Sequence, residues 1–103
     1  MATTTHPDAM VERAKWDLQK YQISKQPDQR SIRARLLNMA PDLDAKKQKK
    51  EATLNRMWDF MADDEKWDDL DPGLQEQRYQ QFRRTIHEYQ QVCDCLAGIE
   101  ALR

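Results

Sequence analysis

Between Tyr79 and Leu96 the apolar residues Tyr79, Phe82, Ile86, Tyr89, Cys93 and Leu96 follow a 3-4-3-4-3 spacing, which stacks them in one stripe along a helix. Up to Gln91 the intervening residues are Gln, Arg, Glu, His and Thr, so one face suits water and the stripe requires a cover. The helix is predicted to run from about Leu74 to the chain end. There Val92, Cys93, Leu96, Ala97, Ile99 and Leu102 widen the stripe beyond a narrow seam. A strict heptad stripe drifts about 20° per heptad around a straight helix, so the late shift to Ile99 and Leu102 predicts packing on the chain's other helices more than a long coiled coil.

Upstream, Thr5-His6-Pro7-Asp8 fits a capping box with Pro in the first turn, after a loose tail at residues 1–4. A helix is predicted from about Asp8 to Ser24, with Met10, Val11, Ala14, Leu18 and Tyr21 on its buried face. Trp16 and Ile23 lie seven residues apart on the opposite side and form a second, narrower apolar patch, which fits a helix sandwiched in the bundle, isolated surface apolar residues, or a partner surface. Ser24-Lys25-Gln26-Pro27 breaks the pattern, and Asp28 is placed to cap a second helix to about Ala40, burying Ile32, Leu36, Met39 and Ala40. Pro41-Asp42 is expected to end that helix and open a third, from about Leu43 to Met61. Leu54, Met57, Trp58 and Met61 make its core face, whereas Lys47 and Lys50 follow Leu43 on the same face and leave the first half poorly buried. From Asp59 to Asp71 seven carboxylates face one cation, Lys66. Trp67 and Leu70 within that segment are expected to dock a short helical turn onto the bundle, or to offer a helical ligand to a basic groove. Asp71-Pro72-Gly73 then turns the chain into the last helix.

With 2 Gly and 4 Pro in 103 residues, and no alternating β-branched run, the fold class is all-α. The expected architecture is a small bundle of three to four helices with a long C-terminal amphipathic helix, residues 1–103 forming one domain. A mean hydropathy of -1.04 leaves much of each helix facing solvent. Net charge is -1, yet residues 1–50 hold 11 Lys/Arg against 6 Asp/Glu and residues 51–103 hold 6 against 12. This split, +5 against -6, suits docking of one half on the other or of one copy on the next, and argues against uniform coating of nucleic acid. The start lacks the basic end and apolar run of a signal peptide, and no stretch approaches 18 apolar residues, so a soluble, cytoplasmic protein without membrane contact is expected. Cys93 and Cys95 diverge around a helix and are expected to be free thiols, Cys95 the more reactive because only Cys93 joins the stripe.

Candidate chemistry changes this picture little. His6, His87, Cys93 and Cys95 are not spaced to face one metal, and a calcium loop begun at Asp69 places Pro72-Gly73 too early and Gln80 where a bidentate Glu belongs. The Asp59/Asp63 and Asp64/Asp68 pairs lie on a wet acidic surface, without a nucleophile-base cluster or a glycine-rich phosphate loop. The expectation is therefore a non-enzymatic module without catalytic, cofactor-binding or metal residues. It would act as an adaptor, assembly factor or inhibitor that binds a protein, or itself, through Trp16, Ile23, Trp67, Leu70, Ile99 and Leu102. The alternative is a nucleic-acid-binding subunit using Arg30, Arg33, Arg35, Lys46, Lys47, Lys49 and Lys50. Against it, the turn before the arginines lacks Gly and no Asn or Gln beside them makes a base-reading pattern.

Overall fold

The computed structural model describes residues 8–23 and 28–103, and among these every regular element is a helix. In chain order they are α1 (Ala9–Ile23), α2 (Asp28–Ala62), α3 (Asp64–Asp68) and α4 (Pro72–Glu100). This is the small all-α bundle with a long C-terminal helix that the spacing predicts. Thr5, the tail and the Ser24-Lys25-Gln26-Pro27 break lie outside the described residues. The first described cap is Asp8, whose carboxylate accepts hydrogen bonds from the amides of Met10 (3.0 Å) and Val11 (3.4 Å). Asp63 caps α3 by accepting from the Lys66 amide, and Asp71 caps α4 by accepting from the Leu74 amide at 2.9 Å, with Pro72 in the first turn.

The two middle helices predicted on either side of Pro41 are one helix. Pro41 removes the N–H that would bond the Leu37 carbonyl and disfavours helical backbone at Ala40, a combined cost of about 3 kcal/mol. Burial on both sides of it outweighs that cost: Ile32, Leu36, Ala40 and Leu43 all enter the core from one stripe of α2, so the two arms share one alignment. Pro41 itself is exposed, on the side of the helix where water can serve the carbonyl it leaves without a donor.

α2 and α4 form an antiparallel hairpin, with Arg33 reaching the Leu102 carbonyl near one end and Lys50 meeting Glu88 further along. α1 packs on both, antiparallel to α2: the Gln29 amide donates to the Tyr21 carbonyl and Lys46 pairs with Asp8 at 2.8 Å. Val11, Ala14, Ile32, Leu36, Ala40, Leu43, Val92, Cys95 and Ile99 make up the core where these three helices meet. Close approach of α1 to α4 depends on Gly98, where an added Cβ would lie 3.0 Å from the Leu18 side chain.

Among the described residues the one buried charge is Asp17, 1% exposed. Its two oxygens take a forked pair of hydrogen bonds from Arg35, at 3.0 and 3.2 Å, and Arg13 lies 3.4 Å away on the next turn of α1. The Asp17 carboxylate in turn raises the pKa of the Arg35 guanidinium. A forked guanidinium-carboxylate pair fixes direction as well as distance, so it sets how far α1 slides along α2.

In α4 the covered residues lie to one side of the expected stripe. Val92, Cys95 and Ile99 are the buried residues, Phe82, Ile86, Tyr89, Cys93 and Leu96 are half-buried, and Tyr79 is exposed. The last turns of α4 face α1 as well as α2, which moves the burial toward Cys95 and Ile99. Ile99, expected to meet a partner, is thus core, and Leu102 packs against that core.

Two predictions arise from these contacts. Arg35→Met leaves the almost wholly buried Asp17 carboxylate with Arg13 alone beside it and should lower the midpoint of urea unfolding. Asp17→Asn should cost less, because the Arg35 and Arg13 heads it releases are half exposed to water; the reverse order would mean that Arg35 acts by packing and not by charge. For Asp8, burial pushes the pKa up, but the Lys46 ammonium and the Val11 and Met10 amides outweigh it and hold the group below the usual carboxylate value. A depressed folded pKa gives stability that is complete above the unfolded value and lost as pH falls through the folded one. Asp8→Ala should therefore lower stability by about 1 kcal/mol at neutral pH, and the gap from the parent protein should shrink in acid; a gap that is constant with pH would contradict the charged cap.

Candidate functional site

α1 is 15 residues long and α2 is 35, about 22 Å against about 52 Å at 1.5 Å per residue. With Asp8 beside Lys46, α1 covers only the first half of α2. Beyond it α2 and α4 continue as a bare hairpin closed by α3, giving a molecule of 59 × 30 × 17 Å. From residue 44 to residue 91 no residue is buried. The stripe that buries Ile32, Leu36 and Leu43 runs on through Leu54, Met57 and Met61, which are only half-buried for want of a third helix.

The bare hairpin has apolar groups on both sides, because Trp58 and Phe60 are two residues apart on α2 and project to opposite faces. On one side Trp58 is 58% exposed, its ring 6.2 Å from that of Phe82. Exposed Tyr79 lies on α4 with the Arg83 guanidinium 5.9 Å from its ring. Trp58, assigned to the core from its spacing, is therefore a surface residue. On the other side Met57, Phe60, Met61, Arg78 and Gln81 line a cleft of about 220 Å³, with the Arg78 guanidinium 4.2 Å above the Phe60 ring. Polar links tie the two helices: Lys50 to Glu88 at 3.1 Å, and the Tyr89 hydroxyl donating to Glu51 at 2.7 Å, a bond that raises the Tyr89 pKa.

At the tip, α3 packs on α2 and brings in the acidic segment. Trp67 and Leu70 are half-buried there, in keeping with docking anchors, and the Trp67 carbonyl accepts from the Gln75 amide at 2.8 Å. At the opposite end, Trp16 and Ile23 stand on the outer face of α1, 60% and 80% exposed, beside Arg13, Lys15 and Lys20. Of the proposed partner-binding residues, then, Trp16 and Ile23 are open, Trp67, Leu70 and Leu102 are half-covered, and Ile99 is not accessible.

Four of the seven cations of the alternative surface have other work. Arg35 holds Asp17, Arg33 donates two hydrogen bonds to the Leu102 carbonyl at 2.7 and 3.0 Å, Lys46 holds Asp8 and Lys50 holds Glu88. Arg30, Lys47 and Lys49 make no ion pair among the described residues.

Among the described residues no group of three His, Cys, Asp or Glu is placed to hold a metal ion, and no helix is long and apolar enough to cross a membrane. Comparison with protein-family models, curated proteins and solved structures finds no match to this chain.

The thiols reverse the order expected from the stripe. Cys95 is buried with its Sγ 3.8 Å from the Val11 carbonyl, and burial pushes its thiol pKa up, whereas Cys93 is partly open. Under native conditions Cys93 should react with a disulfide reagent well before Cys95, whose labelling should follow unfolding. Fast reaction of Cys95 would show that α1 leaves its place readily.

Proposed function

We propose that this protein is a non-enzymatic protein-protein interaction module, an adaptor, assembly factor or inhibitor, whose docking surface is the bare half of the α2/α4 hairpin. One observation carries the reading: from residue 44 to residue 91 the chain buries no residue, yet Trp58, Phe82, Tyr79, Met57 and Phe60 are gathered there. Apolar groups in such number on one thin element favour a covering surface, and tryptophan with flanking arginine is the composition of interface anchors. Trp16 and Ile23 add a second apolar patch on the same molecule. Nucleic-acid binding through the basic half is the weaker reading, because four of its seven cations are engaged within the fold.

Trp58→Ala should reduce capture of the partner by about 30-fold, the equivalent of roughly 2 kcal/mol at an interface anchor. Its melting temperature should stay close to that of the parent protein, because Trp58 is already exposed. The measurement is affinity capture from native lysate with quantitative mass spectrometry, parent against variant. A set of captured proteins unchanged by Trp58→Ala would sink the reading.

A further inference from the structure

Resting on the reading of the bare hairpin as a docking surface, we propose that its groove in line with α1 receives an acidic amphipathic helix of a partner protein, seated where a longer α1 would lie.

The groove that holds α1 runs on past its end. Under α1 the hairpin presents Leu36 and Leu43 from α2 and Val92, Cys95 and Ile99 from α4. Seven-residue steps carry that face from Leu43 through Lys50 to Met57, from Cys95 through Glu88 to Gln81, and from Val92 through Thr85 to Arg78. Met57, Gln81 and Arg78 line the cleft of about 220 Å³ together with Phe60 and Met61. The cleft therefore lies in the line of α1, on the face away from Trp58 and Phe82. With Lys46 beside Asp8, the groove is open from about residue 46 to about residue 62 of α2, roughly 24 Å, the length of about 16 helical residues. Half-buried Met57 and Met61 give it an adaptable apolar floor.

Charge complementarity selects the occupant. α1 meets its own stretch of the groove with carboxylates, Asp17 on Arg35 and Asp8 on Lys46. At the same seven-residue spacing the line of Arg35 continues along α2 to Lys49 and Arg56. On α4 the line of Gly98, which faces Leu18 of α1, continues through Gln91 to Arg84. Lys49, Arg56, Arg78 and Arg84 make no ion pair among the described residues, and Glu88, which shares this face, already holds Lys50. Both walls of the open groove are thus basic around an apolar floor. A helix with an apolar stripe flanked by Glu or Asp satisfies floor and walls at once. Among its described residues a second copy offers no such helix, since its run of carboxylates falls on the five-residue α3 and the outer face of α1 is basic. A nucleic-acid strand would meet the cations but leave the Met57-Met61 floor unfilled.

Fluorescence anisotropy tests the proposal with two labelled amphipathic peptides of about 16 residues, one carrying Leu along a single face and Glu beside it, the other with Lys in place of every Glu. The Glu peptide should bind the parent protein at least about tenfold tighter than the Lys peptide, and more weakly as salt is raised. Arg56→Glu combined with Arg84→Glu should abolish that preference while melting close to the parent, since both side chains are exposed and neither makes an ion pair. Trp58→Ala should leave the preference intact, because Trp58 is on the other face. A parent protein that binds neither peptide, or both alike, overturns the proposal, as does a preference that survives the double reversal. So does displacement of the Glu peptide by a single-stranded oligonucleotide, or by self-association in sedimentation, where the double variant loses that competitor too: the groove then belongs to the competitor. Should the peptides fail while Trp58→Ala still loses a captured protein, the interaction reading stands without the acidic helix; failure of both measurements removes both.

Discussion

A 15-residue helix laid on a hairpin of 35 and 29 residues cannot cover it, and most of the structure follows from that inequality of length. Where α1 lies, three helices enclose a common line and Val11, Leu36, Leu43, Val92 and Ile99 leave water almost completely. Where it does not, two helices have only each other. A helix pair can shield the strip between its members but not the outward flanks of the same residues, so Met57, Met61 and Phe82 reach half-burial at most. The difference between core and uncovered surface is thus set by the reach of α1 more than by composition, since the apolar stripe of α2 continues through both halves.

Asp17 determines where that reach stops. An apolar contact between helices tolerates sliding by a fraction of a turn, whereas a forked pair between Asp17 and Arg35 holds in one register only. Its second anchor is at the other end of α1, where Asp8 both caps the helix and receives Lys46. The two polar contacts lie nine residues apart on α1 and bind different parts of α2, so they fix its position as well as its direction. Burying a carboxylate adds little net stability once desolvation is counted. What it provides is specificity of placement, and with it the boundary of the uncovered hairpin.

The helix content and the core positions Val11, Ala14, Ile32 and Leu36 were legible because each is a local signal in spacing, whereas Asp8 and Asp71, read as the end of a capping box and as a turn residue, are each the cap itself. The second patch of Trp16 and Ile23 was legible from spacing too, lying opposite a clear core stripe, but spacing left open whether another helix covers it. What was not legible depended on neighbours distant in sequence. Pro41 carries a strong local signal for a helix end, overridden by burial of Leu36 and Leu43 on both sides of it. Trp58 sits at the edge of the stripe that runs from Leu36 through Leu54, Met57 and Met61 and turns outward beside Phe82, which spacing cannot reveal. The exchange of Cys93 and Cys95 reflects the same gap: the side on which α1 approaches decides which thiol is buried. Arg33 and Arg35 looked like a solvated or phosphate-seeking pair, since their partners Leu102 and Asp17 come from other helices.

The bare half of the hairpin stands without a buried core, and the means by which it stands bear on its role. Asp63 and Asp71 cap α3 and α4, Lys50 and Tyr89 tie α2 to α4 through Glu88 and Glu51, and Arg78 lies over Phe60. Such contacts are directional and each contributes little in water, so they can hold two helices in place but leave this half far less stable than the three-helix end. A surface so held gains most from being covered: the apolar flanks are already gathered, the backbone is already helical, and the partner adds burial without first having to order a chain. The weak half of the fold is therefore the half in which an added surface contributes most, and that is the physical ground for proposing the docking surface there.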